Sequence, residues 1–555
     1  MKFETVKIRG GGLLSDALFA AGVPLSMPCG GRRSCGKCAV FVSGAADEVS
    51  EEEKILLARL PEKTPPAPGY VRRLACFCHI SGEVLAALED DGRIAVASPC
   101  RCGAPSPLPR SPAGDIPPRP RLPIFNLISS KFNYDGEHPE DFGVAVDIGT
   151  TTVTVIVLRL GDGRILADKS ERNRQTVFGA DVLSRIDAAN RLGAEPLRDA
   201  ITGQLCRLIA DALSVAGAAP EAVRRICVTG NTTMLHLLTG HSVASLGVVP
   251  FEPETRFGET LPAVSLFPAL TSARLYLPNA ISAYVGPDIV CGILSSGLPD
   301  RENSLLVDVG TNGEMAINAN GCLLCCATAA GPAFEGAEIS SGMAALPGAI
   351  DFVRPIPGAL RSPESAARGT PRIKGDYKEI YFSTIGGQPA VGVCGTGLIS
   401  AVDTLLKLGL MDETGMAYDD ELPLGNSGIS LTQQDIRKLQ LAKSAIASGI
   451  ATLIHEGGLP ENDVRALYLS GGFGSYIRPE SAIGIGLIPK TLGDRSVSAG
   501  NSALAGAAQL TLNAGLREKA VEIANVTKEI QLATHPFFME QYIENMMFDS
   551  IHNTL

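Results

Sequence analysis

Val144-Ala-Val-Asp-Ile-Gly-Thr-Thr-Thr152 decides how the larger part of this chain folds. An apolar run breaks at Asp147, turns through Gly149 and resumes over residues 153–158, which predicts two buried strands joined by a tight turn. The tip carries one carboxylate and three hydroxyls. Leu305-Leu-Val-Asp-Val-Gly-Thr-Asn-Gly-Glu314 repeats the pattern, with Asp308 at the place of Asp147 and Gly310 at that of Gly149. N–H groups of a Gly–Thr turn, with its hydroxyls, hold phosphate oxygens without a full positive charge. Asp147 and Asp308 offer hard oxygen ligands to Mg²⁺, through water, because Mg²⁺ keeps much of its hydration. Two such hairpins predict a duplicated α/β unit with a polyanion between the copies.

The sequence around them fills in a two-lobed body. Leu197, Ile201, Leu205, Leu208 and Leu213 form a helical stripe. Arg225-Ile-Cys-Val-Thr229 reads as a strand, after which Asn231 or Thr232 can cap a helix beginning near Met234. Val393-Cys-Gly-Thr-Gly397 and Leu467-Tyr-Leu-Ser-Gly-Gly-Phe-Gly474 are glycine-rich turns after short apolar strands. The pair Gly471 and Gly472 lets a backbone lie flat against a nucleoside. Small residues from Gly500 to Gly506 suit two helices packed closely at a hinge. Glu314 and Glu335 are further candidates for positioning water or Mg²⁺. Cys322, Cys325 and Cys326 read as part of a buried strand, where a small thiol packs well.

With 555 residues the chain exceeds a single core and suggests several domains. A formal net charge of −11 argues against nucleic acid as main partner, since phosphate binding needs a basic surface. No apolar run reaches the ~18–20 residues of a spanning helix, so no membrane partner is expected and a cytoplasmic location is the default. Six of the 14 cysteines lie between Cys29 and Cys100, a clustering that in a reducing compartment points to metal or redox chemistry.

Cys29-Gly-Gly-Arg-Arg-Ser-Cys35-Gly-Lys-Cys38 is a glycine-rich loop with C-x5-C-x2-C spacing. A strand (Ala39–Ser43), a Ser50-Glu-Glu-Glu53 capping box before a helix over 54–60, and a strand running through Cys76 follow. Glycines let amide N–H groups reach cluster sulfurs, so the spacing favours an iron–sulfur cluster; a zinc knuckle is the alternative, but one short pair with a distant fourth cysteine fits it poorly. Residues 96–140 carry Pro105, Pro107, Pro109, Pro112, Pro117, Pro118, Pro120 and Pro123, a polyproline-type tether or passive spacer. Cys100 and Cys102 at its start are a weak metal signal.

C-G-G-x-x-x-C-G-K-C followed by Leu74-Ala-Cys76 resembles a [2Fe–2S] ferredoxin domain of β-grasp fold, and the resemblance implies Cys29, Cys35, Cys38 and Cys76 as ligands, with Cys78 a competitor for the fourth place. The hairpin order resembles the ASKHA superfamily of actin and the sugar kinases, with a duplicated RNase H-like, two-lobed ATPase body. That implies Asp147, Gly149, Thr150 and Thr151 as phosphate 1, Asp308, Gly310, Thr311 and Asn312 as phosphate 2, and Gly471 and Gly472 as the adenosine loop; with Glu314 from the residue reading, the expected catalytic set is Asp147, Asp308 and Glu314. The resulting organisation is a ferredoxin-like domain over 1–95, a linker over 96–140 and lobes over 141–300 and 301–555, an α/β multidomain protein. Together with A-A-G-P-A-F-E-G and G-N-T-T-M, nearly the whole chain resembles the reductive activators of corrinoid proteins. The resemblance implies a [2Fe–2S] cluster, ATP and Mg²⁺, a low-potential electron donor, a homodimer, and one-electron reduction of Co(II) to Co(I) in a corrinoid protein of a methyltransferase system. An activase serving another metalloenzyme and a redox-sensing nucleotide-binding regulator are the alternatives.

Overall fold

The computed structural model describes residues 3–21, 33, 38–58, 60, 67–89, 136, 139–336, 338–356, 377–471 and 474–548. Cys29, Cys35, Cys100, Cys102, Gly472 and nearly all of the proline-rich stretch lie outside them. In the N-terminal module β1 (Phe3–Arg9), β2 (Gly12–Leu13), β3 (Ala39–Ala46), β4 (Val71–Leu74) and β5 (His79–Glu89) form an antiparallel sheet in the order β1-β5-β3-β4, with β2 on β5. Helix α1 (Leu14–Ala20) buries Leu14 and Leu18 in one core with Val40, Val42, Leu74 and Ile80.

Two local expectations are corrected here. Helix α2 (Glu51–Leu57) starts at Ser50, whose side chain accepts from Glu53 N, but the return half of a capping box is not made. Glu53 turns inward, fully buried, and takes the Arg73 guanidinium at 3.0 Å together with the Leu74 N–H. Leaving a buried arginine unpaired would cost about 3–5 kcal/mol, more than a terminal amide bond contributes. The strand expected to run through Cys76 ends at Leu74, so Cys76 and Cys78 sit on and just after a turn instead of on one strand face.

In the first lobe β6 (Phe142–Ile148), β7 (Thr152–Arg159) and β8 (Ile165–Arg172) form an antiparallel meander, and β9 (Val223–Gly230) runs parallel beside β6. With β10 (Thr260–Pro262) and β11 (Arg274–Tyr276) the order is β10-β11-β9-β6-β7-β8. Helices α3 (Val182–Leu192), α4 (Glu195–Ala216) and α5 (Thr232–Thr239) cover one face, and the whole leucine stripe of α4 is buried against it. Asn231 is the α5 cap, accepting from Met234 N at 3.0 Å. Helix α6 (Pro287–Ser296) leads into the second lobe.

There β12 (Ser304–Val309), β13 (Gly313–Ala319) and β14 (Cys322–Thr328) repeat the meander. A smaller sheet follows, of β15 (Ala349–Pro355), β16 (Ile380–Thr384) and β17 (Gly392–Val393), then α7 (Gly395–Lys407), the hairpin β18 (Glu421–Pro423) and β19 (Ser430–Thr432), and α8 (Gln433–Glu456). Next come β20 (Ala466–Ser470), α9 (Pro479–Gly484), β21 (Ser496–Gly500), α10 (Ser502–Leu512), α11 (Leu516–Val526), β22 (Lys528–Glu529) and α12 (Pro536–Glu544). The large sheet reads β21-β20-β12-β13-β14-β22, so β20 stands to β12 as β9 stands to β6. Cys325 and Cys326 are buried on β14 as expected, whereas Cys322 at its start is exposed.

The lobes are joined through a shared core. Leu158 and Ala145 of the first sheet, Leu306 and Ala316 of the second, and Val290, Ile293, Leu504 and Ala507 of α6 and α10 form one buried cluster. Although it belongs to the second half of the chain, α10 packs on α6 and β6. A Cβ at Gly506 would overlap the backbone of Cys291, which is why this helix is built from small residues.

Candidate functional site

The two hairpin tips face each other across the lobes. In the first, Gly149 N donates to Thr152 O at 2.9 Å; in the second, Gly310 N donates to Asn312 O at 2.9 Å. The hydroxyls of Thr151 and Thr311 lie 3.3 Å apart, each tip thus presenting a hydroxyl to the same point. Asn231 donates to the Thr150 hydroxyl at 3.1 Å, and Asn173 donates to the Gly149 carbonyl at 2.9 Å.

Strand register places the carboxylates. Asp147 is paired in register with Thr154 and Thr229, and Asp308 with Glu314 and Ser470. Like charges directly opposite on antiparallel strands destabilise a sheet, so the Asp308–Glu314 pairing is costly to the sheet. The sequence missed a fourth carboxylate. Asp288, at the second position of α6, is pushed up to about 8 by burial and then by the repulsion of Asp147 and Asp308. Burial likewise pushes Asp147 up to about 7 and Asp308 up to about 6, against the opposing hydrogen bonds from Asn501 (2.7 Å) and Ser470 (2.9 Å). Glu314 is held well above the usual carboxylate range by burial and by the three aspartates, and its Oε1 makes no hydrogen bond. An orphaned buried carboxylate oxygen beside three more acids fits a cation-binding floor. Among the described residues no three His, Cys, Asp or Glu side chains are grouped so as to hold a metal ion directly. Gly471 completes the floor: its φ is +96°, and a Cβ would sit 2.6 Å from Asp308 Oδ1.

The tips are braced by opposite charges, of which the sequence offered Glu335 as a candidate but not Arg185. Arg185 of α3, fully buried, donates to the Thr150 and Gly179 carbonyls; burial pulls it down to about 9 while Asp181 and Glu335 pull it up. Its one sequence signal is an arginine on the apolar side of an amphipathic helix. Glu335 accepts from the Thr311 hydroxyl at 3.0 Å and from the Thr151 hydroxyl, joining the two tips. Gly395, Thr396 and Gly397 open α7, and Gly397 packs on the Ile350 carbonyl, in the second lobe's own framework.

At the other end of the molecule the fold brings Cys38 Sγ and Cys76 Sγ to 3.3 Å, both buried. Two thiols so close and so placed fit ligation of a single metal centre. Arg33 donates to the Cys76 carbonyl at 3.2 Å and lies over the Phe77 ring. The turn is pinned at both ends, Leu74 N on Glu53 and His79 N on Asp47 (2.9 Å), with Arg73 between the two carboxylates. Cys78 is buried in the module's core, its carbonyl accepting from Leu14 N.

These features define a class: an iron–sulfur ferredoxin domain joined to an ASKHA-type, two-lobed nucleotide-binding body. The comparisons with known proteins agree throughout. Residues 2–81 match the 2Fe-2S iron-sulfur cluster binding domain, 142–301 the RACo middle region, and 302–554 the ASKHA C-terminal domain of RACo. The chain is 31% identical over 444 residues to the corrinoid activation enzyme RamQ of Eubacterium limosum, covering 73% of this chain and 70% of the relative. It is 29% identical over 429 residues to the [Co(II) methylated amine-specific corrinoid protein] reductase of Methanosarcina barkeri, covering 72% and 76%. A solved reductive activator for corrinoid, iron-sulfur protein superposes with a TM-score of 0.65 at 26% identity, over 97% of this chain and 95% of that one. The chain belongs to the RACo family of corrinoid-protein reductive activators. Among the described residues no helix is long and apolar enough to cross a membrane.

Proposed function

We propose that this chain reduces the inactive Co(II) corrinoid of a methyl-transfer protein to Co(I), one electron per turnover, with ATP binding and hydrolysis between the lobes driving the step. One juxtaposition carries the reading: a single chain holds a ferredoxin fold with Cys38 and Cys76 at 3.3 Å and a cleft where two Asp-x-Gly-Thr hairpins meet. The names of the relatives in Eubacterium limosum and Methanosarcina barkeri support it.

Cys29, Cys35, Cys38 and Cys76 would hold the cluster. Bound there, a plant-type [2Fe–2S] centre supplies a one-electron couple near ~−400 mV. The pinned turn from Leu74 to His79 keeps Cys76 in place, and a low-potential donor replaces the electron. Reduction to Co(I) from such a potential runs uphill, so another equilibrium must drive it. In the cleft Asp147, Asp308 and Glu314, with Asp288, would hold Mg²⁺ through water, while the tips from Gly149 to Thr151 and from Gly310 to Asn312 take the phosphates. Gly471, with Gly472, supplies the flat backbone beside the nucleoside. Closure around the nucleotide helps only as far as it favours one state of the partner. A shift from 1:99 to 99:1 needs about 10⁴-fold, or ~5.5 kcal/mol, of differential affinity. ATP therefore acts through conformation and partner binding, without phosphoryl transfer to a small molecule.

The test is anaerobic. The reduced, cluster-loaded protein is mixed with a Co(II) corrinoid protein, with and without ATP, and the cobalt spectrum is followed. Co(I) formed only with ATP is the expected result. Absence of Co(I) with every corrinoid partner tried, or a small molecule phosphorylated in stoichiometric yield, would remove the reading.

A further inference from the structure

Glu335 occupies a place that neither the metal floor nor the phosphate turns explain. It ends the short turn Pro332–Glu335 after β14, and Gly331 N ties the start of that turn to the Thr311 carbonyl at 2.9 Å. Ala333 and Phe334 are buried in the second lobe's core, so the carboxylate is carried on an anchored backbone. Its oxygens accept from Thr311 on one tip and Thr151 on the other. It stands apart from the acidic floor: the charge acting on it is Arg185, and its other partners are the two threonines. The carboxylate is half-buried and aimed at the hydroxyls of both tips; desolvation raises its proton affinity, while the two threonines and the charge of Arg185 hold it towards the ionised form.

We infer that Glu335 is the residue that orients and deprotonates the attacking water in ATP hydrolysis. The inference rests on the nucleotide reading of the cleft. When a terminal phosphoryl group lies between the tips, Thr151 and Thr311 turn their hydroxyls to its oxygens, and the Glu335 carboxylate is left facing the phosphorus with free lone pairs. A water held there forms the new O–P bond and gives its proton to Glu335. The bond from that phosphorus to the bridging oxygen breaks, and ADP leaves with the electron pair. The proton on Glu335 passes to phosphate or solvent, which restores the carboxylate. Asp288 is the rival for this role, but it shares the acidic floor with Asp147 and Asp308, on which a cation belongs.

The experiment uses the full-length, cluster-loaded chain and measures phosphate release and, separately, binding of a non-hydrolysable ATP analogue. Glu335→Gln keeps the size and the acceptor for a threonine hydroxyl but cannot take a proton. The expected result is a fall in kcat of about 100-fold or more, with KM and analogue affinity held within about threefold. Glu335→Asp, which keeps the base but withdraws it, should lose about tenfold or more in kcat at unchanged KM, and decides the matter if the Gln variant does not fold. Wild-type kcat in E335Q would show that Glu335 only bridges the tips and would overturn the inference. So would the same kcat-only loss in Asp288→Asn with E335Q active. A wild-type protein that binds the analogue but releases no phosphate would instead bring down the hydrolysis reading beneath it.

Discussion

Hairpin 149–151 and hairpin 310–312 have the same strands, the same three-residue tips and the same parallel neighbour, yet they are built against different surroundings. The first is tight: a Cβ on Gly149 would lie 2.6 Å from the Thr152 carbonyl, while on Gly310 the nearest atom is 3.6 Å away. Behind the first tip stands the buried guanidinium of Arg185; against the second lies the carboxylate of Glu335. Opposite Asp147 the antiparallel partner is Thr154, opposite Asp308 it is Glu314. The first tip is therefore braced by a buried guanidinium and the second by a carboxylate, while both lobes contribute acids between them, Asp147 and Asp288 from the first and Asp308 and Glu314 from the second. Duplication gives two like turns; the unequal bracing makes their surroundings differ.

Breaking the clamp should have the largest effect. Asp147→Asn and Asp308→Asn are each expected to lower ATP turnover by about 100-fold or more, while the ultraviolet–visible spectrum of the cluster stays that of wild type. Full turnover in either variant would mean that one hairpin works alone and that the likeness between them is only architectural. A second measurement asks whether the carboxylates of both lobes form one shared floor. Asp147 (about 7) and Asp288 (about 8) lie above the ordinary aspartate value of 3.8. The native state then binds more protons than the unfolded state between about pH 4 and pH 8. The stability they contribute is complete below pH 4 and is lost as pH rises through 7 to 8. Denaturant titration of the nucleotide-free protein should show a loss on the order of a few kcal/mol from pH 5.5 to pH 8.5. Asp288→Asn should flatten that slope; an unchanged slope would separate Asp288 from the floor. The smallest effect tests the tightness of the turns. Gly149→Ala should cost about 1–3 kcal/mol by chemical denaturation, and Gly310→Ala less than about 1 kcal/mol. Equal costs would erase the difference in room between the two tips.

Much of this was legible before any coordinates. A carboxylate at the break of an apolar run, followed by Gly and Thr, states a strand, a turn and a polar tip in nine residues. The cysteine spacing in a glycine-rich loop states a metal loop in ten. The misses have a common cause. Asp288 sits next to the cleft because α6 enters the junction of the two sheets, and Asn501 reaches Asp147 from 354 positions away because α10 packs back on the first lobe. Glu53 read as half of a capping box because local spacing is silent about a buried arginine arriving 20 residues later.

By itself the sequence determined what each segment must do locally. The alternation of apolar residues sets the strands, Gly149 and the other turn glycines fix where the chain reverses, and the cysteine and Asp-x-Gly-Thr motifs fix which chemistry is carried. The tertiary structure alone decided how these pieces act on one another: that two tips meet at the hydroxyls of Thr151 and Thr311, that four carboxylates of the two lobes come near enough to feel one another's charge, and that Arg185 and Glu335 attract each other beside the tips. Local structure follows from interactions a few residues apart, which a sequence displays. Burial and electrostatic coupling depend on distance in space, and folding brings together residues that the chain keeps hundreds of positions apart.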